Sequence, residues 1–213
     1  MSTFPGAPKI LKAGIILADP ATGDLRRVIT LQYNPENLSR SFEIQRAAEN
    51  IRGIGALRLT GPPLESITLE AAIDATDQLE VPDQHPSIVS SGIQPHLAAL
   101  ETIVYPASNV LESNNALAAT GTLEIAPMQS ALVLFVWNKR RVMPVRISSL
   151  SITEEAFDPK LNPTRARVSL TLQVLTIDDL GFGQKGGNLF MVYQKTKESL
   201  VQQYQPGSLD VSL

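Results

Sequence analysis

The chain has no cysteine in its 213 residues. That excludes a disulfide framework and a thiolate zinc site. Histidine is nearly as scarce. His85 lies in Asp83-Gln84-His85-Pro86, a loop by composition, and His96 lies beside Leu97 on an expected helix. Neither shows HxxxH spacing or a carboxylate at ligand spacing, so no metal or cofactor is expected. No stretch of about 18 apolar residues occurs, and no membrane-spanning helix is expected. Met1-Ser2-Thr3-Phe4-Pro5-Gly6 lacks the basic-then-apolar pattern of a signal peptide, so the glycosylation pattern at Asn37-Leu38-Ser39 is set aside. A formal net charge of −3 leaves no basic footprint for nucleic acid. Aromatics are 5% of the chain, too few for a sugar-stacking surface. No G-x-S-x-G elbow is present, although a Ser-His-Asp set assembled from distant positions stays open. No internal repeat is evident.

What is present reads mainly as strands. Leu132 to Trp137 is a continuous apolar run rich in β-formers. In Arg165 to Ile177, Ala166, Val168, Leu170, Leu172 and Val174 alternate with polar residues, giving one buried and one wet face. Val142 to Ile152 changes phase: Val145 and Ile147 share one parity, Leu150 and Ile152 the other. Ser148-Ser149 is therefore a candidate bulge, unless both faces are covered and parity carries no meaning. Further strands are expected at Lys9 to Ala18, Arg26 to Tyr33, Leu38 to Arg46 and Leu64 to Asp74, the first two as a hairpin across Asp19-Pro20-Ala21-Thr22-Gly23-Asp24. Leu38, Phe42 and Ile44 share a face in the third of these.

Residues 47–63 are rich in glycine and proline and read as a long loop carrying Arg52 and Arg58. Asp77 to Gly92 reads as polar turn. Its acidic residues, with Asp74, lack the glycine and spacing of a calcium loop. Ile93 to Tyr105 has helical spacing with Pro95 in the first turn. Pro106 to Gly121 is small and polar and reads as a loop. Asn188 to Tyr204 reads as a second helix, followed by a tail. The expected organisation is a β domain over 1–180 and a C-terminal helix and tail over 181–213.

Gly181-Phe182-Gly183-Gln184-Lys185-Gly186 matches G-x-G-x-x-G. A dinucleotide site needs a buried parallel strand before that turn and a second strand after its helix, and neither is available. A glycine connector accounts for it better. Lys139, Arg140 and Arg141, with Arg146 nearby and Trp137 adjoining, form the densest positive patch. On a net acidic chain it reads as a hairpin tip at a protein interface. Arg52 and Arg58 are the other interface candidates.

Several segments in order resemble the tube-adaptor family of contractile injection systems, related to tube-initiator proteins of phage baseplates. They are Gln32-Tyr33-Asn34-Pro35-Glu36-Asn37-Leu38-Ser39-Arg40-Ser41, Gly61-Pro62-Pro63 with Leu69 to Glu80, Leu97 to Pro106, and Phe135-Val136-Trp137-Asn138 through Phe157-Asp158-Pro159 to Ala166. The resemblance covers roughly Leu11 to Leu180. Many members carry a C-terminal peptidoglycan-binding LysM module, and the residues after Leu180 are too few for one.

The resemblance implies an antiparallel, tube-protein-like β-barrel or sandwich with one internal helix and a C-terminal helix. It implies a structural ring, sixfold, joining an inner tube to a spike hub. Partners would be other copies, the tube protein, the spike and other baseplate proteins, with no nucleic acid, membrane or cofactor. Assembly would take place in the bacterial cytoplasm. The competing readings are a monomeric β-sandwich binding module and a hydrolase.

Overall fold

The computed structural model describes residues 11–46, 58–119 and 130–205. Strands β1 (Gly14–Ala18), β2 (Leu25–Thr30), β3 (Leu38–Glu43), β4 (Leu64–Asp74), β5 (Leu132–Asn138), β6 (Arg141–Phe157) and β7 (Pro163–Val174) form one antiparallel sheet in the order β2-β1-β5-β6-β7-β4-β3. The helices are α1 (Thr76–Leu79), α2 (Pro86–Ser91), α3 (Gln94–Val104), α4 (Ser108–Ala119), α5 (Ile177–Leu180) and α6 (Lys185–Val201). The class is α+β, mainly β, as expected.

The order places β2 and β3, consecutive in sequence, at opposite edges. In a flat sheet those edges would lie about 29 Å apart, six spacings of ~4.8 Å. The chain from Thr30 to Leu38 reaches about 28 Å only if fully stretched, and it bends through Pro35. The sheet must therefore curl. Gln32 stitches the resulting seam: its side-chain amide donates to the Asp74 carbonyl at 2.6 Å, and its amide oxygen accepts from the Asp74 N–H at 2.9 Å. Ile29 and Leu31 from one edge and Ala71 and Ile73 near the other line one small cavity with Leu100 of α3.

Among the described residues no ladder joins the two edges, and the seven strands form one open sheet that is not a closed barrel. The expectation of closure is corrected here: side chains meet across the seam, whereas a barrel needs a strand pair there.

The concave face holds the core. Ile67, Leu69, Ala71 and Ile73 of β4 pair in register with Leu172, Leu170, Val168 and Ala166 of β7, and all eight are buried. Each larger aliphatic side chain there contributes about 1.5–3 kcal/mol on burial. On β6, Ile147 faces Leu172 and Ser149 faces Thr171. Ser148 is the extra residue, and the bulge keeps Val145, Ile147, Leu150 and Ile152 on the same face despite their change of parity. Leu97 and Leu100 of α3 and Phe190 and Tyr193 of α6 complete this core. A smaller cluster of Ala18, Leu132 and Leu134 meets Leu180 and Leu189.

Two further expectations are corrected. The stretch from Asp77 to Gly92 is not simple turn: it holds most of α1, a 3-10 turn at Pro82–Gln84 and α2. Pro82 and Pro86 start the last two with their fixed φ, and Gly92 ends α2 at φ 57, where a Cβ would meet the Pro163 carbonyl oxygen at 2.1 Å. The expected loop at 106–121 contains α4. Its stretch Ser108–Ala119 has no glycine or proline to break a helix. There is thus more than one internal helix. Of the expected loop at 47–63, residues 47–57 lie outside the described residues. Arg46 and Leu59 form an antiparallel bridge that extends the chain beyond β3.

The seam yields a test. Replacing Gln32 with alanine leaves the Asp74 N–H and carbonyl without their partner in a partly buried position. A loss of about 1–3 kcal/mol is expected, read as a lower urea midpoint with unchanged slope.

Candidate functional site

The positive tip is where the sequence places it. Lys139 and Arg140 form a two-residue turn between β5 and β6, both exposed, and the Arg140 N–H donates to the Asn138 side chain at 2.9 Å. Asn138 pairs with Arg141 to close the hairpin. Arg141 is half-buried and its charge is felt by Tyr193 of α6. The candidates do not converge. Arg146 lies five residues up β6, about 17 Å by strand rise, where it donates to Gln173 at 2.6 Å. Arg58 is exposed beside the Arg46–Leu59 bridge, and Arg52 lies outside the described residues.

The acidic residues of the run that begins at Asp74, which could pair with such a tip, are partly engaged within the chain. Asp74 accepts from Thr76 and pairs with Arg165 at 2.9 Å. Those bonds, Thr76 first, hold its carboxyl below the usual range against some desolvation. Asp77 accepts from the Tyr33 hydroxyl at 3.4 Å. Glu80 and Asp83 remain exposed.

The tightest polar constellation was not read from the sequence. Glu65 is 3% exposed. Its carboxylate accepts from Arg40 Nε at 2.8 Å and from the Tyr193 hydroxyl at 3.1 and 3.2 Å, and lies 3.7 Å from Lys197 Nζ. Arg40 Nη2 also donates to the Tyr193 oxygen at 2.9 Å. Lys197 stands 4.1 Å over the Tyr193 ring, and Arg40 stands 4.9 Å over Phe42. Burial, then the Glu65 charge, pushes the Tyr193 hydroxyl up to about 12. Burial also lowers Lys197, with Glu65 pulling the other way.

A signal for this cluster existed. Glu65 shares the parity of Ile67 and Leu69, and Arg40 sits between Leu38 and Phe42 on the strand that pairs with it. An acid and a base at neighbouring core-parity positions point to a buried pair. A carboxylate held this way is spent on anchoring: it ties the edge strand β3 and helix α6 to β4, and leaves no acceptor open toward a substrate.

The histidines stay apart in the fold. His85 precedes α2, and His96 is exposed on α3. Among the described residues no group of three His, Asp or Glu is placed to hold a metal ion. Backbone and packing account for two glycines of the G-x-G-x-x-G run, Gly181 and Gly186: a Cβ on Gly186 would lie 2.7 Å from Leu180, whereas Gly183 stands in open space. Gly181, at φ 76, ends α5, and a Cβ on Gly187 in the first turn of α6 would lie 2.1 Å from the Gly181 carbonyl oxygen. Among the described residues no helix is long and apolar enough to cross a membrane. No protein-family model matches the chain, and no curated protein matches it.

The anchor makes two measurable claims. Glu65→Gln keeps the shape and removes the charge, leaving Arg40 and Lys197 without their counter-ion. A loss of about 3 kcal/mol is expected, toward the low end for a broken buried pair because both cations keep partial exposure. Tyr193 should also show in the pH profile. Unfolded, it releases its proton near 10; folded, near 12. Its contribution is intact below pH 10 and is lost as pH rises from 10 to 12. The stability advantage of wild type over Tyr193→Phe should shrink across that window in urea titrations.

Proposed function

We propose that this chain is a structural subunit of a contractile injection system, a phage tail-like particle. In this reading it forms a ring, sixfold, that joins the inner tube to the spike hub. Its partners are other copies, the tube protein, the spike and neighbouring baseplate proteins. It assembles in the bacterial cytoplasm and carries no catalytic role.

The observation that carries the reading is the state of the two sheet edges. On β2, Leu25 and Val28 are 66% and 55% exposed; on β3 and just beyond it, Phe42 and Ile44 are 47% and 54% exposed. Natural edge strands are normally blunted by charge, proline or a covering element. The charges on β2 do not serve that purpose, because Arg26 turns to Asp19 and Arg27 to Thr102 of α3. Exposed apolar side chains on both strands that flank the open seam favour covering by further copies, and repeated contacts of that kind can close into rings. The ordered sequence segments resembling tube adaptors supply the identity of the particle.

Co-expression with the tube and spike proteins of the same particle is the test. The chain should purify with both, and a chain that stays alone while they assemble would overturn the reading. Lys139→Glu with Arg140→Glu should then reduce incorporation into particles while leaving circular dichroism and urea midpoint unchanged. Arg141 is kept because its charge reaches the Glu65 anchor. Equal incorporation of the reversed protein at low salt, where charge contacts are strongest, would show that the tip is only solvated.

A further inference from the structure

A polar groove of about 830 Å³ opens on the convex face, where the chain from β2 to β3 overhangs β4 and β7. Asn34, Glu36 and Asn37 form the overhang, and Thr68, Glu70 and Ser169 form the floor. Its charge is negative. Arg167 also lines it and divides itself between Glu70 at 2.9 Å and Glu155 at 3.1 Å. Glu36 is exposed and makes no ion pair among the described residues. Three carboxylates thus stand against one guanidinium. Arg165, the next outward cation along β7, is held by Asp74.

Backbone acceptors add to this. In an antiparallel strand the N–H and C=O of one residue point the same way, and those of the next residue point the other way. Asp74 directs both groups to Gln32, away from β7, and the Ala75 N–H donates toward β7, to the Thr164 carbonyl. The β4–β7 register is unbroken from Ser66 to Asp74, so Glu70 and Ala72 also turn their carbonyls away from β7. The β3–β4 ladder stops at Leu38 opposite Leu69. Among the described residues no strand therefore donates to those two carbonyls, and both residues line the groove. Carboxylates and open carbonyls together suit a positively charged donor, an ammonium or a guanidinium.

The β5–β6 tip carries such donors. Lys139 and Arg140 are exposed and make no ion pair among the described residues. They cannot reach the groove of their own chain: Ser151 of β6 stands opposite Ser169 of the floor, ten residues on from Arg141, or about 33 Å of strand. We propose that the Lys139–Arg140 tip of one copy docks in this groove of the next copy, where Glu36, Glu70 and the open carbonyls take its two cations. Charge selects this occupant, since two unpaired cations meet a surplus of two carboxylates. Glu80 and Asp83 are exposed too, but they do not line the groove. Tip and groove are different surfaces, so the contact is head-to-tail, the kind that closes into rings or runs on as filaments. The proposal rests on the ring reading of the tip and names the surface that the tip meets.

The test uses the native side chains. An equal mixture of isotope-labelled and unlabelled protein is treated at low salt with a water-soluble carbodiimide, which joins an ammonium to a carboxylate in contact. Mass spectrometry should find Lys139 linked to Glu36 or Glu70, with labelled and unlabelled halves in one product. Arg140→Glu leaves Lys139 available and should lower that link about tenfold, equivalent to about 1.4 kcal/mol. Glu36→Lys should lower the linked dimer as well. Mixing Glu36→Lys with the chain carrying Lys139→Glu and Arg140→Glu should restore a link, now between positions 36 and 139 with the chemistry reversed. Links confined within one chain, links from the tip to Glu80 or Asp83 in place of the groove, or no link would overturn the proposal. So would a swapped mixture that stays unlinked. These links are read on the purified chain alone. Failure to purify with tube and spike proteins would count against the particle, whereas a chain that enters particles without the link would strike this contact only.

Discussion

The short connection from β2 to β3 is the constraint on which the rest of the molecule depends. It asks two opposite edges of a seven-stranded sheet to lie within reach of eight peptide steps, and only a curled sheet satisfies it. Curling turns one face into a concavity whose side chains from β2, β4 and β7 meet, with α3 over them. The same constraint leaves the edges themselves unpaired. Gln32 holds the seam through two hydrogen bonds to one residue, enough to fix the curl without closing it into a ladder.

Local patterns revealed the strands because burial here follows strict alternation. The inward residues of β7 are each no more than 1% exposed, so period 2 survives intact in the sequence. The phase change in β6 was readable for the same reason, and its bulge falls at Ser148. The curl and its open seam were not readable, because they depend on strand order, a property of pairs distant in sequence. The short helices between β4 and α3 were hidden by polar composition: the 3-10 turn and α2 start on prolines and α2 ends on a glycine, while only Ile88 of α2 is buried. Helix α4 was hidden because Ser113, Asn114 and Asn115 fill its middle turn and none of its residues is buried.

The charged anchor shows how an edge strand is kept in register. β3 pairs with only one neighbour, and of its residues Leu38 and Arg40 alone are even half-buried. Apolar burial there is too thin to prevent a slip. A one-residue slip would carry Arg40 off the concave face and leave Glu65 without its nearest cation. That cost falls on a fully desolvated carboxylate, so a single ion pair specifies what several half-exposed aliphatic residues could not. Tyr193 and Lys197 extend the same specification to α6, fixing the rotation of a helix whose outer face carries exposed Val192 and Val201.

The bulge at Ser148 has a consequence beyond the core. β6 runs past β5 into a region where, among the described residues, β7 is its sole strand neighbour. Were all these residues held in a regular ladder with no bulge, Leu150 and Ile152 would turn to the convex face and their polar neighbours Ser149 and Ser151 would face inward beside α3. Ile147, Leu150 and Ile152 are half-buried there and pack against the main core, so the irregularity in the ladder preserves the inward apolar face where β6 has lost one strand neighbour.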